Sequence, residues 1–101
     1  MIKHVTKSEI NFKEFNKGLK LLNFHALWCG PCKLLGPELE RVSEKGFEIY
    51  RVDGDKDKEF AQEMEIPGFP TSFVFKDGKV VETVVGFRAE EEILEILNEY
   101  K

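Results

Sequence analysis

The sequence predicts an α/β domain: a central mixed sheet of about five strands flanked by four helices, in the order β-α-β-α-β-α-β-β-α. Three observations carry this. Nearly continuous apolar runs, of the kind that form strands buried on both faces, alternate with amphipathic stretches of helical period. Asp77-Gly78 between two β-rich runs is a two-residue hairpin signal. Glycines and prolines fall between the periodic segments and punctuate them. Parallel strands require a crossover helix, whereas the last two strands need only their hairpin, so the sheet must be mixed. At 101 residues, the chain is read as one domain spanning 1–101.

Ile2–Val5 reads as a short first strand, and Asn11-Phe12-Lys13-Glu14 as a capping box that opens a short helix. Gly18 ends that helix. Leu19–Leu27 follows as a strand buried on both faces. A helix is expected from Cys29 to Glu44, its core stripe made by Leu35, Leu39 and Val42 at i, i+4 and i+7, with Pro37 kinking it and Gly46 ending it. Phe47–Asp53 is the next buried strand. Asp57 caps a helix reaching Met64, with Phe60 and Met64 on one face. Two prolines and a glycine keep Ile66-Pro67-Gly68-Phe69-Pro70 from being helical. Thr71–Lys76 and Lys79–Val85 form the hairpin, and Ala89–Tyr100 closes the chain as a helix whose Ile93, Ile96, Leu97 and Tyr100 share a side.

Composition narrows the function. Hydrophobic residues make up 42% and charged residues 34%, which suits a globular chain with a packed core, to which nine Phe contribute bulk. A net charge of −4 argues against nucleic acid as a partner, since phosphate binding needs a basic face. No apolar run approaches the roughly 18 residues that span a bilayer. Behind Met1-Ile2-Lys3-His4-Val5-Thr6-Lys7 there is no signal-peptide pattern, so a cytoplasmic location without membrane attachment is expected.

The two cysteines stand in Trp28-Cys29-Gly30-Pro31-Cys32-Lys33, between a strand and a helix. As a structural staple the pair is weak, because so short a loop gives about 2 kcal/mol in the loop-entropy account. A zinc site needs four ligands, and only His4 and His25 are at hand to join the cysteines. A haem attachment needs His after the second cysteine, where Lys33 stands. A redox role explains the spacing better: Cys29 falls at the first turn of a helix, where unpaired N–H groups and the helix dipole favour the thiolate that attacks disulfides. Cys32, one turn on, is close enough to resolve the mixed disulfide. Pro31 suits a first turn, and Lys33 adds nearby positive charge. No metal and no bound cofactor are implied, since the cysteines carry the chemistry.

The hexapeptide resembles the active site of the thioredoxin family letter for letter, and Ile66-Pro67-Gly68-Phe69-Pro70-Thr71 resembles that family's cis-proline loop. Pro37 resembles its kink proline, and Gly86 the glycine flanking its substrate groove. The resemblance implies the thioredoxin fold and a cis peptide at Phe69-Pro70 facing the cysteines. It also implies an apolar docking surface of Trp28, Gly30, Pro31, Phe69, Pro70 and Gly86, on which the Phe69 backbone pairs with an extended client segment. Cys29 is then the nucleophile and Cys32 the resolving thiol, only Cys29 being exposed. The implied partners are disulfide-containing client proteins and a thioredoxin reductase, flavin- or ferredoxin-linked, and the implied state is a monomer.

The chain departs from the family where a buried Asp is usual, which is Asn23 here, and where a neighbouring Lys is usual, which is Arg51. Asn does not titrate and Arg stays protonated, so the family's proposed proton acceptor is missing. His25, two residues from Asn23 and therefore on the same strand face, is the candidate substitute: as a base for Cys32, or in its charged form as a stabiliser of the Cys29 thiolate. The expected activity is reduction of protein disulfides as a general electron carrier. Two rivals stand beside it: a disulfide oxidase or isomerase, and a family-like subunit or chaperone that binds partners without turnover.

Overall fold

Strand β2 (Leu19–His25) is covered on both faces in the computed structural model, which describes residues 2–101. It pairs in parallel with β3 (Glu48–Asp53) and antiparallel with β4 (Thr71–Lys76). Strand β1 (Ile2–His4) lies beyond β3 and β5 (Lys79–Val85) beyond β4, giving the order β1-β3-β2-β4-β5. This is the mixed five-stranded sheet expected, with four helices around it.

The period of two divides the strands between two cores. Leu21, Ile49 and Val74 face α2 (Gly30–Glu44) and α4 (Glu90–Glu99), meeting Leu35, Leu39, Val42, Ile93 and Leu97. Their neighbours Leu22, Tyr50 and Phe73 face the other way, joining Phe24, Val52, Phe15 of α1 (Phe12–Phe15) and Phe60 of α3 (Lys58–Glu63). Aromatic rings meet edge to face in this second core, Phe15 against Tyr50 at 5.0 Å and Phe24 against Phe60 at 5.1 Å, the arrangement that ring quadrupoles favour.

Several boundaries move inward. β1 stops at His4, β2 at His25 instead of Leu27, and β3 starts at Glu48 instead of Phe47. β2 ends early because the chain turns at once: the Cys29 N–H donates to the Ala26 carbonyl at 3.2 Å. Cys29 is accordingly the N-cap of α2, with extended φ/ψ of −86° and 116°, and not its first residue. Asn11 does cap α1, its side chain accepting from the Lys13 N–H at 3.1 Å. Glu14 makes no return bond to Asn11; instead the Thr6 N–H donates to Glu9 at 2.9 Å, over a short 3₁₀ turn at Lys7–Glu9 that the periodicity did not reveal. Asp57 caps α3 as expected, Met64 becomes its C-cap, and α4 loses Ala89 and Tyr100 to cap positions. The hairpin is as expected: Asp77 and Gly78 have φ of 49° and 82°, the paired left-handed conformation that a two-residue loop needs to match the strand twist.

Asp57 ties two segments together. Its side chain caps α3 by accepting from the Phe60 N–H at 3.3 Å, and its other oxygen accepts from the Lys7 N–H at 2.7 Å. Asp57→Ala should lower stability by about 1–2 kcal/mol, while Asp57→Asn, which keeps a capping oxygen, should cost less. Urea unfolding of the three proteins measures this.

Candidate active site

Cys29 and Cys32 are joined as a disulfide, their Cα atoms 5.2 Å apart, at the start of α2. Cys29 Sγ accepts from the Cys32 N–H at 3.3 Å, so the first cysteine's sulfur sits where a capping oxygen would otherwise bind a free helix N–H. Gly30 and Pro31 form the exposed first turn, where the missing N–H of proline costs nothing. The expectation that only Cys29 is exposed is corrected: in the disulfide, Cys29 is 5% and Cys32 2% exposed. Both cysteines form one buried cluster with Ala26, against which Phe69 packs.

The Phe69-Pro70 peptide is cis, and the Phe69 carbonyl oxygen lies 3.7 Å from Cys29 Sγ. Pro70 is buried, and its carbonyl accepts from the N–H of Gly86, whose φ of 91° is one that only glycine adopts readily. Trp28 stands outward, 69% exposed, with its indole N–H donating to Asp55 at 2.8 Å and the Phe69 ring edge-on at 5.9 Å. The structure thus brings Trp28, Gly30, Pro31, Phe69, Pro70 and the cysteines to one end of the sheet. Sequence reasoning missed three further residues there. Leu27 and Leu34 are 68% and 67% exposed beside the cysteines, and Asp55 holds Trp28. Leu34 lies off the Leu35–Leu39–Val42 stripe, which was a legible sign of an outward leucine; Asp55 carried no signal.

Behind the disulfide, β2 and β3 place Asn23 opposite Arg51. Asn23 is fully buried; it donates to Ser72 Oγ at 2.9 Å and accepts from Arg51 Nε at 2.8 Å. Arg51, also buried, donates through Nη2 to the Cys32 carbonyl at 3.3 Å. No carboxylate pairs with it among the described residues. Burial lowers its affinity for the proton, with Glu40 opposing this, but a guanidinium remains charged. Lys33 points to solvent.

His25 is buried on the same face, beside a cleft also lined by His4, Leu27, Arg51, Asp53 and Lys56, and its ring hydrogen-bonds to none of the described residues. Burial, with Arg51 adding to it, lowers its pKa from 6.5 to about 4. The ring is therefore neutral at neutral pH, and the expected charged form that would stabilise the Cys29 thiolate is disfavoured.

With this geometry in hand, the comparisons are specific. The family model described as Thioredoxin matches residues 2–99. A thioredoxin of Listeria monocytogenes is 37% identical over 103 residues, covering 99% of each chain, and one of Staphylococcus haemolyticus is 38% identical over 100 residues, covering 95% of this chain and 96% of that one. Among solved structures, a mutant thioredoxin from Halobacterium salinarum superposes with a TM-score of 0.90 at 30% identity, covering 98% of this chain and 89% of that one. The reduced thioredoxin pre-protein of Schistosoma mansoni gives 0.88 at 28% identity, covering 99% and 98%.

The state of His25 has a stability consequence. Between its unfolded pKa near 6.5 and its folded value of about 4, the unfolded chain binds a proton at this site that the folded chain does not. Stability contributed by the neutral ring is thus present above pH 6.5, falls as pH drops towards 4, and falls no further below. Urea unfolding between pH 3.5 and 7.5 should show a shallower acid-side loss for His25→Gln than for the parent.

Proposed function

The chain belongs to the thioredoxin family and is an oxidoreductase that acts by thiol–disulfide exchange on disulfide-containing proteins; from that premise we propose that it is a general cytoplasmic protein-disulfide reductase and electron carrier, working as a monomeric single domain. The observation that carries this is the Cys29 sulfur at the N-cap of α2, facing the carbonyl before a cis proline.

Reduction runs in two exchanges. The Cys29 thiolate attacks one sulfur of a client disulfide; a Cys29–client bond forms, and the other client sulfur leaves as a thiolate and takes a proton from water. The Cys32 thiolate then attacks Cys29 Sγ, closing the Cys29–Cys32 bond and expelling the second client thiolate. The client gains two electrons and the protein loses them. A thioredoxin reductase, flavin- or ferredoxin-linked, returns the electrons. Unpaired N–H groups at the helix start favour charge on Cys29.

Trp28, Gly30, Pro31, Phe69, Pro70 and Gly86 form the client surface. An extended client segment hydrogen-bonds to the Phe69 backbone, and apolar side chains cover the exchange. Arg51 assists the second step, since a buried cation hydrogen-bonded to the Cys32 backbone favours a thiolate on that residue, while Asn23 holds the guanidinium in place. Lys33 contributes a weaker, solvent-screened charge. His25 is neutral, and with its pKa lowered to about 4 it is a weak acceptor for a thiol proton, which leaves solvent to take the proton of Cys32.

Cys29→Ser should abolish insulin reduction, and Cys32→Ser should accumulate a client mixed disulfide detectable by mass; retained activity in Cys29→Ser would leave only a binding role. The Cys29–Cys32 reduction potential, measured against glutathione and dithiol buffers, should fall near the thioredoxin benchmark of about −270 mV; a value near the protein disulfide isomerase benchmark of about −180 mV would reverse the direction of electron flow. Arg51→Gln should slow the resolving step several-fold at neutral pH in single-turnover mixing, the deficit closing as pH rises.

A further inference from the structure

Gly54 follows β3 and is buried. Gly18, Gly46, Gly78 and Gly86 have φ between 71° and 94°, where a side chain is strained, but Gly54 is not in that region. Its backbone would accept alanine. What bars a side chain is the Phe69 ring: a Cβ at Gly54 would fall onto the ring's Cε1 and Cζ atoms. The backbone of Gly54 has little room to withdraw, because its N–H is bonded to the His25 carbonyl at the end of β2, at 2.8 Å.

The ring seated there belongs to the residue whose carbonyl faces Cys29 Sγ; that residue packs against the cluster of Ala26 and the two cysteines and against the second core, with Trp28 edge-on to the ring. On its far side the loop is held by the Thr71 hydroxyl, which donates to the Gly68 carbonyl at 2.7 Å. The ring is thus packed between a fixed strand end and the outward indole. A ring lifted off Gly54 moves against Trp28 or into the open cleft lined by Ala61, Ile66 and Pro67, and in either case leaves its seat beside the cysteines.

We propose that Gly54 is a positioning residue for client binding: it leaves the slot that seats the Phe69 ring, and so sets the spacing between Trp28 and the backbone carbonyl that faces Cys29. This rests on the protein-disulfide reductase reading above and adds to it a specificity determinant outside the active-site hexapeptide and the proline loop.

Gly54→Ala is tested in the parent and in a Phe69→Val background, in which the slot is empty enough for a methyl group. With insulin as the disulfide and dithiothreitol as the reductant, Gly54→Ala should lower kcat/KM about tenfold in the parent, mainly through KM, a size typical of a one-carbon change in a shaped pocket. In the Phe69→Val background the same change should have little effect. Trp28, the only tryptophan, gives a readout independent of turnover: Gly54→Ala should alter its emission in the parent and leave it unaltered when the ring is gone. Equal losses in both backgrounds, or no loss in the parent, would overturn the proposal. Should Gly54→Ala fail to fold, recovery of the melting transition in the double variant supports the seat, and failure of the double variant to fold overturns it. A parent protein unable to reduce insulin counts against the reductase reading, whereas the seat is then judged by the coupling seen in Trp28 emission.

Discussion

Every functional group depends on where β2 ends. As the central strand, paired with β3 on one side and β4 on the other, β2 has no freedom to slip: a one-residue shift would exchange Leu21 and Leu22 between two different cores. Its last residue is therefore fixed, and α2 begins only five residues later, which puts the Cys29 sulfur at the helix start. The neighbours inherit the same reference. Phe24 pairs with Thr71, which brings the Phe69-Pro70 peptide across from the cysteines, and His25 pairs with Asp53, which brings Gly54 and Asp55 to Phe69 and Trp28. Three loops meet because three strands are in register.

The same register buries a charge. Arg51 lies between sheet and α2 so tightly that a Cβ at Gly36 would stand 3.3 Å from its Nη1. An unpaired buried cation is costly, and hydrogen bonds to Asn23 and the Cys32 carbonyl offset only part of that cost. A carboxylate at position 23 would complete an ion pair and leave nothing over for the sulfur. The neutral amide instead orients the guanidinium without neutralising it, which on the mechanism proposed above leaves its charge available to a cysteine thiolate. His25 fits this account: burial above all, with Arg51 adding to it, keeps the ring neutral.

The sheet was legible in the residues because burial on two faces leaves nearly continuous apolar runs, and the hairpin because Asp77-Gly78 supplies two left-handed residues in succession. Strand and helix ends were less legible: whether β2 stops at His25 or Leu27 is decided by the turn that returns the Cys29 N–H to Ala26, a tertiary matter. At the site, the cysteines could be read because their chemistry demands that spacing between a strand and a helix, whereas the proline loop was legible through its resemblance to the family's. Asn23 and Arg51 could be flagged as departures, but not their bonding, which depends on cross-strand register. The burial of Cys29 could not be read, because it is Phe69, forty residues away, that covers the sulfur. Gly54 carried no signal in the sequence, since a missing side chain shows its purpose only beside the ring that fills the space.

Covered sulfurs and a wet, apolar surround together indicate how exchange is made selective. Leu27, Trp28 and Leu34 stand exposed around cysteines that are almost inaccessible. A client that docks on them expels water from the rim, as the peripheral residues of tight interfaces do. With water gone, the helix-start N–H groups and the Arg51 guanidinium act on the sulfurs at lower dielectric, and their effect grows at the moment of exchange. A small oxidant reaching the pair alone gains none of this. Recognition by main-chain pairing and apolar cover, as proposed above, would need no particular charge on the client, which suits a surface where both signs are interspersed. On the reductase reading proposed above, breadth across clients and selectivity for docked disulfides would have one origin, the exposed apolar rim around the covered sulfurs.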